Sequence, residues 1–172
     1  LGTDTDGNYV ASVAAGNGIS VSGTAGEGYT ATVSTKFHGV FAYRSSSVST
    51  TSGAYYTISW NAERYDTDGY RSSGSDFVIP SGLAGYYMLT ANVEWASNST
   101  GRRHARIIGP DHQAYVFQNA VNGFSTGVTL TWVGYLAVSD AINVESWQDS
   151  GGALNIAPTA TRTWAQLTYL GA

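Results

Sequence analysis

The chain has no cysteine, which excludes disulfides and thiolate metal sites. It also has little charge. Asp, Glu, Lys and Arg make up 12% of its 172 residues, about half the usual quarter. Lys36 is the only lysine, and the eight basic residues are scattered. With a net charge of −4 and no basic run, the chain lacks the footprint that a phosphate backbone needs, so no nucleic-acid partner is expected. No apolar run approaches the roughly 20 residues required to span a bilayer as a helix, and no membrane insertion is expected. No signal-peptide pattern opens the chain; Leu1-Gly2-Thr3-Asp4 reads as a cut inside a longer protein. Secreted animal domains of this size often carry a disulfide, so the missing cysteine favours assembly in a reducing cytosol. No stretch holds an apolar 3.6-residue period long enough for a helix.

What replaces the charge is Gly, Ser, Thr, Asn and Tyr, a mixture suited to strands and tight turns. Hydrophobic residues reach 42%, which argues against disorder. The texture divides the chain in two. Residues 1–35 are small, polar and Gly-rich, with Tyr9-Val10-Ala11-Ser12-Val13, Gly16-Asn17-Gly18 and Ile19-Ser20-Val21-Ser22-Gly23 as short alternating pieces. Such pieces cannot bury a core alone. They form either a β stem that packs against copies from other chains or a disordered linker.

Residues 36–172 carry aromatic and β-branched residues in strand-length runs. Residues 54–60 form one. In residues 86–95, Tyr87, Leu89, Ala91, Val93 and Trp95 share one face. In residues 128–138, Val128, Leu130, Trp132, Leu136 and Val138 do the same. Further runs are 104–109, 114–118, 142–148 and 163–170. Turn clusters at Asp66–Gly69, Ser97–Gly101, Pro110–His112 and Asp149–Gly152 separate them. About ten short strands with turns at this spacing indicate an all-β sandwich or barrel.

Several of these segments resemble the complement-q globular head family, relatives of tumour necrosis factor (TNF). Phe37-His-Gly-Val-Phe-Ala-Tyr43 is similar to its first strand, and Ile58–Tyr70 to its strand and aromatic–Asp–x–x–Gly turn. Phe77-Val78-Ile79-Pro80 followed by Gly85-Tyr86-Tyr87 matches its "Phe-x-x-Pro…Gly-x-Tyr" signature. Ser139–Val144 resembles its turn into the penultimate long strand, and Leu167–Gly171 its closing strand. The collagen repeats that precede this head in animals are absent. Asn8–Val13, Gly16–Gly23 and Gly26–Val33 resemble instead a stem segment of tailed-bacteriophage fibre and appendage proteins. The resemblance implies a TNF-like jelly roll of two five-stranded sheets, preceded by a short β stem and assembled as a homotrimer. Tyr55, Tyr56, Tyr86, Tyr135 and Tyr169 are the candidates for its subunit contacts; a closed three-fold ring would bury such patches without open-ended growth. Some family members bind calcium near the trimer apex; no ligands for one are assigned here, and no cofactor is expected.

The remaining motifs have weaker readings. Gly123-Phe124-Ser125-Thr126-Gly127 spells Gly-x-Ser-x-Gly, but a nucleophile elbow needs a helix after it, and a strand-like run follows. His38, His104 and His112 have no ligand-like spacing. Asp4-x-Asp6-Gly7 and Asp66-x-Asp68-Gly69 look like half of a calcium loop, or ordinary turns. Glu94 and Glu145 would have to share a cleft to hydrolyse a glycoside. Asn98-Ser99-Thr100 is a glycosylation sequon. Binding is expected of the loops instead: Arg102 and Arg103; Asp111, His112 and Gln113; Asn119, Asn122 and Phe124; and the acidic Gln148–Gly152, beside which Trp147 reads first as a core or interface tryptophan and, where its face is exposed, as a platform for sugar stacking. The expectation is therefore a non-enzymatic head on a virion surface that binds a host receptor or glycan and meets other virion proteins through its stem. A capsid or tail decoration protein is the alternative, and a polysaccharide-degrading enzyme is less supported.

Overall fold

The computed structural model describes residues 13–16, 19–23, 30–71 and 74–172. Among them there is no helix. In chain order the strands are β1 (Ile19–Ser22), β2 (Thr32–Thr35), β3 (Gly39–Tyr43), β4 (Val48–Thr50), β5 (Tyr56–Thr57), β6 (Ala62–Asp66), β7 (Phe77–Val78), β8 (Gly85–Trp95), β9 (Arg102–Ile108), β10 (Gln113–Asn119), β11 (Thr126–Leu136), β12 (Ala141–Gln148), β13 (Leu154–Ile156) and β14 (Trp164–Gly171).

The chain divides into two units, Leu1–Phe37 and His38–Ala172. In the first, β1 and β2 pair antiparallel, with Val21 opposite Val33. Nearly all of their small side chains are exposed, as expected for a hairpin with little to bury. The pieces at Tyr9–Ser12, Asn17–Gly18 and Gly26–Gly28, and Asp4-x-Asp6-Gly7, lie outside the described residues.

The second unit is a sandwich of two antiparallel sheets. One runs β10-β9-β12-β5, with β7 also on β12; the other runs β4-β13-β8-β14-β3-β6, with β11 on β8. Strand alternation places the core between them. Tyr87, Leu89, Ala91, Val93 and Trp95 of β8 are fully buried, and Val128, Leu130, Trp132 and Leu136 of β11 lie beside them. Ala105 and Ile107 of β9 and Ile142 and Val144 of β12 face them from the smaller sheet. At about 25 cal/mol per Å² of apolar surface removed from water, these rows of large side chains are the main stabilising term.

Among the described residues the head has twelve strands, in sheets of five and seven, beside the expectation of about ten in two five-stranded sheets. The extra ones are pairings of two or three residues. The run 54–60 pairs with β12 at Tyr56 and Thr57, and the Ile58 amide donates to Val144 O of the same strand at 2.9 Å. Beyond them Trp60 bonds to the carbonyl of Gly74 instead, while Ile58 and Trp60 drop into the core. Val138 lies past the end of β11 and is exposed, because the chain turns there through Ser139 at positive φ.

Candidate binding site

The β9–β10 hairpin sorts the expected loop residues to its two ends. Arg102 is opposite Asn119 at one end, and Ile108 is opposite Gln113 at the other. The six residue steps from Arg102 to Ile108 make the separation about 20 Å. Three of the four expected loops gather at the Arg102 end. The amide of Ala120 donates to Gly101 O at 2.9 Å, and that of Asp149 to Arg102 O at 3.3 Å. Asn122 and Phe124 are exposed in the connection that follows β10. Asp111, His112 and Gln113 stand at the far end and do not join this group. Gln113 and Asn119 are strand ends, not loop tips.

Arg103 is not a loop residue either. It occupies the inward face of β9 and is fully buried, because alternation sends Arg102 outward and its neighbour in. Its guanidinium donates to Thr100 O and Arg102 O, at 3.0 and 3.1 Å, and to Asn98 O at 3.1 Å. Burial lowers its pKa, and Asp149 partly offsets that. The side chain therefore staples the loop before β9 from beneath.

Above it, on the outward face of the smaller sheet, Tyr55, Arg102, His104, Tyr115, Phe117 and Trp147 line a depression of about 250 Å³. Register builds it. Phe117, His104 and Trp147 form one cross-strand row, and Tyr115, Arg106 and Glu145 form the next. Tyr55 reaches over both rows: its hydroxyl shares a 3.1 Å hydrogen bond with His104 Nδ1, and its ring covers the Arg106 guanidinium at 3.7 Å. Such a cation–π contact contributes about 0.5–2 kcal/mol. The rings remain open to solvent, Tyr115 at 70% and Phe117 at 65% exposure.

Both guanidiniums at this site are matched by carboxylates. Arg106 Nε and Nη2 lie 2.7 and 2.6 Å from Glu145 Oε2. Arg102 Nε and Nη2 each donate to Asp149 Oδ2 at 3.3 Å, and its plane also lies over the Trp147 ring at 5.7 Å. The Arg102 backbone amide donates to Asp149 Oδ1, the main reason that carboxyl is held below its usual range. Burial, with the charges of Arg106 and Arg102, holds the His104 imidazole below its ordinary value. The site thus joins exposed rings, a neutral imidazole and two fixed ion pairs.

The other motifs resolve into structural roles. Asp66 Oδ1 accepts the amides of Gly69 and Tyr70 at 2.8 and 2.9 Å, and Oδ2 that of Arg71 at 2.9 Å. Gly69 has φ +80°, so Asp66-x-Asp68-Gly69 is a turn held by its own amides. Asp68 pairs with His38 at 2.8 Å. Gly123 and Phe124 lie in the turn closed by the Phe124 amide donating to Val121 O at 3.3 Å, which leads through Ser125 into strand β11. Glu94 on β8 pairs with Arg162 and Glu145 on β12 with Arg106, so the two acids lie on different sheets. Among the described residues, no three His, Asp or Glu side chains gather as a metal site.

No family model and no curated protein sequence matches the chain. Solved structures do. The vertex protein P5 of phage PRD1 aligns with a TM-score of 0.69 at 17% identity, over 99% of this chain and 91% of that one. Murine APRIL aligns at 0.56 and 12% identity, over 78% of this chain and all of that one. The globular domain of zebrafish complement 1qA aligns at 0.52 and 13%, over 76% and 94%. The fold is a TNF-like jelly roll.

On this jelly roll the five tyrosines expected at subunit contacts do not share a face. Tyr86 and Tyr135 are cross-strand partners on the outer face of the larger sheet, rings 5.6 Å apart. Tyr55 belongs to the depression on the opposite sheet. Tyr56 and Tyr169 pack against the core, Tyr169 edge-on to Tyr87 at 5.2 Å. Of the depression's residues, the sequence points to only Arg102 and Trp147 as binding candidates. Tyr115 and Phe117 were missed because Ala114-Tyr115-Val116-Phe117 is apolar on both faces, so its periodicity names no outer side.

Proposed function

We propose that this chain is the surface head of a virion-associated homotrimer that attaches to a host receptor, with the N-terminal β hairpin region meeting other virion proteins. The observation that carries the reading is the fold likeness to a phage vertex protein over 99% of the chain, where the animal heads cover little beyond the jelly roll. Trimerisation draws support from the larger sheet. Tyr86, Met88, Val133 and Tyr135 make an exposed apolar patch in register, of the kind a subunit contact covers. The other end of that face is polar, with Thr90 bonded to Thr131 and Thr129 to Asn92. Three weak receptor sites on one rigid trimer would gain avidity through effective concentration.

Sedimentation equilibrium of the chain, and binding of the labelled chain to intact candidate host cells and to purified virions, test this. A trimer that decorates cells is expected. A monomer, or a trimer that binds only virions, sinks the receptor reading. The second outcome favours a structural capsid or tail decoration protein, a reading that the fold likeness to a phage vertex protein also supports. We propose binding without turnover; release of reducing sugar from host polysaccharide by the chain would overturn that.

A further inference from the structure

We propose that the depression on the smaller sheet is a carbohydrate site for an uncharged pyranose, one sugar ring seated between Phe117 and Trp147 above His104. The inference rests on the receptor reading only for the source of that sugar. Three features of the site select this ligand.

The first is the pairing of rings with fixed polar groups. The C–H face of a pyranose is apolar and lies flat on an aromatic ring, while its rim of hydroxyls needs donors and acceptors. Phe117 and Trp147 flank His104 in one row, two strand spacings or about 9.5 Å apart. Tyr115 and Tyr55 close the neighbouring side. These rings are short-armed and lose little freedom on binding. With His104 Nδ1 committed to Tyr55, Nε2 is the imidazole nitrogen left to meet a sugar hydroxyl.

Charge is the second. Arg102 and Arg106 would suggest an acidic sugar if they were free. Each is instead neutralised by a paired carboxylate, Asp149 and Glu145, which leaves some of its N–H groups for a neutral hydroxyl, and His104 is held neutral. An incoming carboxylate would meet two acids along with the two guanidiniums, so it gains no net attraction. A hydroxyl, by contrast, can accept from a guanidinium and donate to its carboxylate at once.

Size is the third. A volume of about 250 Å³ lies below the usual range for drug-sized ligands, about 300–1,000 Å³. It suits one ring, not a helix or a peptide strand.

The test is saturation-transfer NMR and titration of the full chain with methyl glycosides of glucose, galactose, mannose and rhamnose, against glucuronate and sialic acid. At least one neutral glycoside is expected to bind in the millimolar range, with transfer strongest to its ring C–H protons. Phe117→Ala and Trp147→Ala should each weaken it about tenfold; Phe117→Tyr and Trp147→Phe should retain it, with thermal stability as the folding control. Tighter binding of the acidic sugars, or no binding by any neutral one, overturns the site. A change in oligomeric state in the two alanine variants also overturns it, because the rings would then be a subunit contact. Host-cell attachment that survives both alanine variants sinks the sugar site and leaves the receptor reading standing. Sugar binding by a chain that attaches to no host cell does the reverse.

Discussion

The indole of Trp132 donates to the carbonyl of His112 at 3.1 Å, and the two rings stack 5.0 Å apart at 21°. One residue is in the larger sheet, and the other is in the turn that closes the β9–β10 hairpin. The contact therefore ties the sheets together at the end remote from Arg102.

Glycine makes room for that indole. A Cβ at Gly134 would stand 2.6 Å from Trp132 and 3.1 Å from the His112 ring, and one at Gly109 would stand 2.7 Å from the same indole. Gly134→Ala should lower stability by about 1–3 kcal/mol through overpacking. Urea denaturation monitored by tryptophan fluorescence measures it; an unchanged midpoint would show that the indole is not confined.

Arg103 offers a second measurement. Arg103→Met removes the donors that hold Asn98 O, Thr100 O and Arg102 O, and should cost about 3 kcal/mol. Arg103→Lys should rescue little, because one ammonium cannot span the carbonyls that a guanidinium fork reaches. Full rescue by lysine would mean that charge alone is needed at this position.

The depressed His104 value gives a pH dependence with a definite sign. Below the ordinary value of 6.5 the unfolded chain binds a proton that the folded chain resists. Stability from this group is thus intact above pH 6.5 and falls as the pH drops from there toward the folded value. The stability difference between the wild type and His104→Gln should narrow between pH 7.5 and 5. Parallel stability curves across that range would remove His104 as the cause.

The larger sheet carries the trimer prediction. Tyr86 and Tyr135 are about half exposed and lie edge to face. Tyr135→Asp should leave the head folded, since the side chain lies outside the core, and should weaken self-association about a hundredfold or more. Light scattering across a dilution series reads this out. An unchanged assembly would place the subunit contact on another face.

Much of the fold was legible because alternation is unambiguous where one face is polar. Tyr87 to Trp95 and Val128 to Leu136 fall on the core side as their pattern dictates, and the segments resembling a complement-q head fold as that jelly roll. The site was less legible, for two physical reasons. Arg103 next to Arg102 looks like a pair of surface charges until the strand sends one inward. Tyr115 and Phe117 alternate with Ala114 and Val116, so either face would serve as core. Only the pairing of β10 with β9 decides which rings meet His104, and pairing is a relation between distant segments that no local pattern encodes.

The order of strands in the larger sheet also bears on how the head is made. β14 lies between β3 and β8, so among the head's strands the last to leave the ribosome is one that belongs in the interior. Until it arrives, β3 and β8 each present a bare row of amides and carbonyls to every other nascent chain nearby. Closure over so long a loop is slow, and unpaired rows of this kind invite mispairing. Crowded polysomes would expose that interval most, and anything that delays β14 lengthens it.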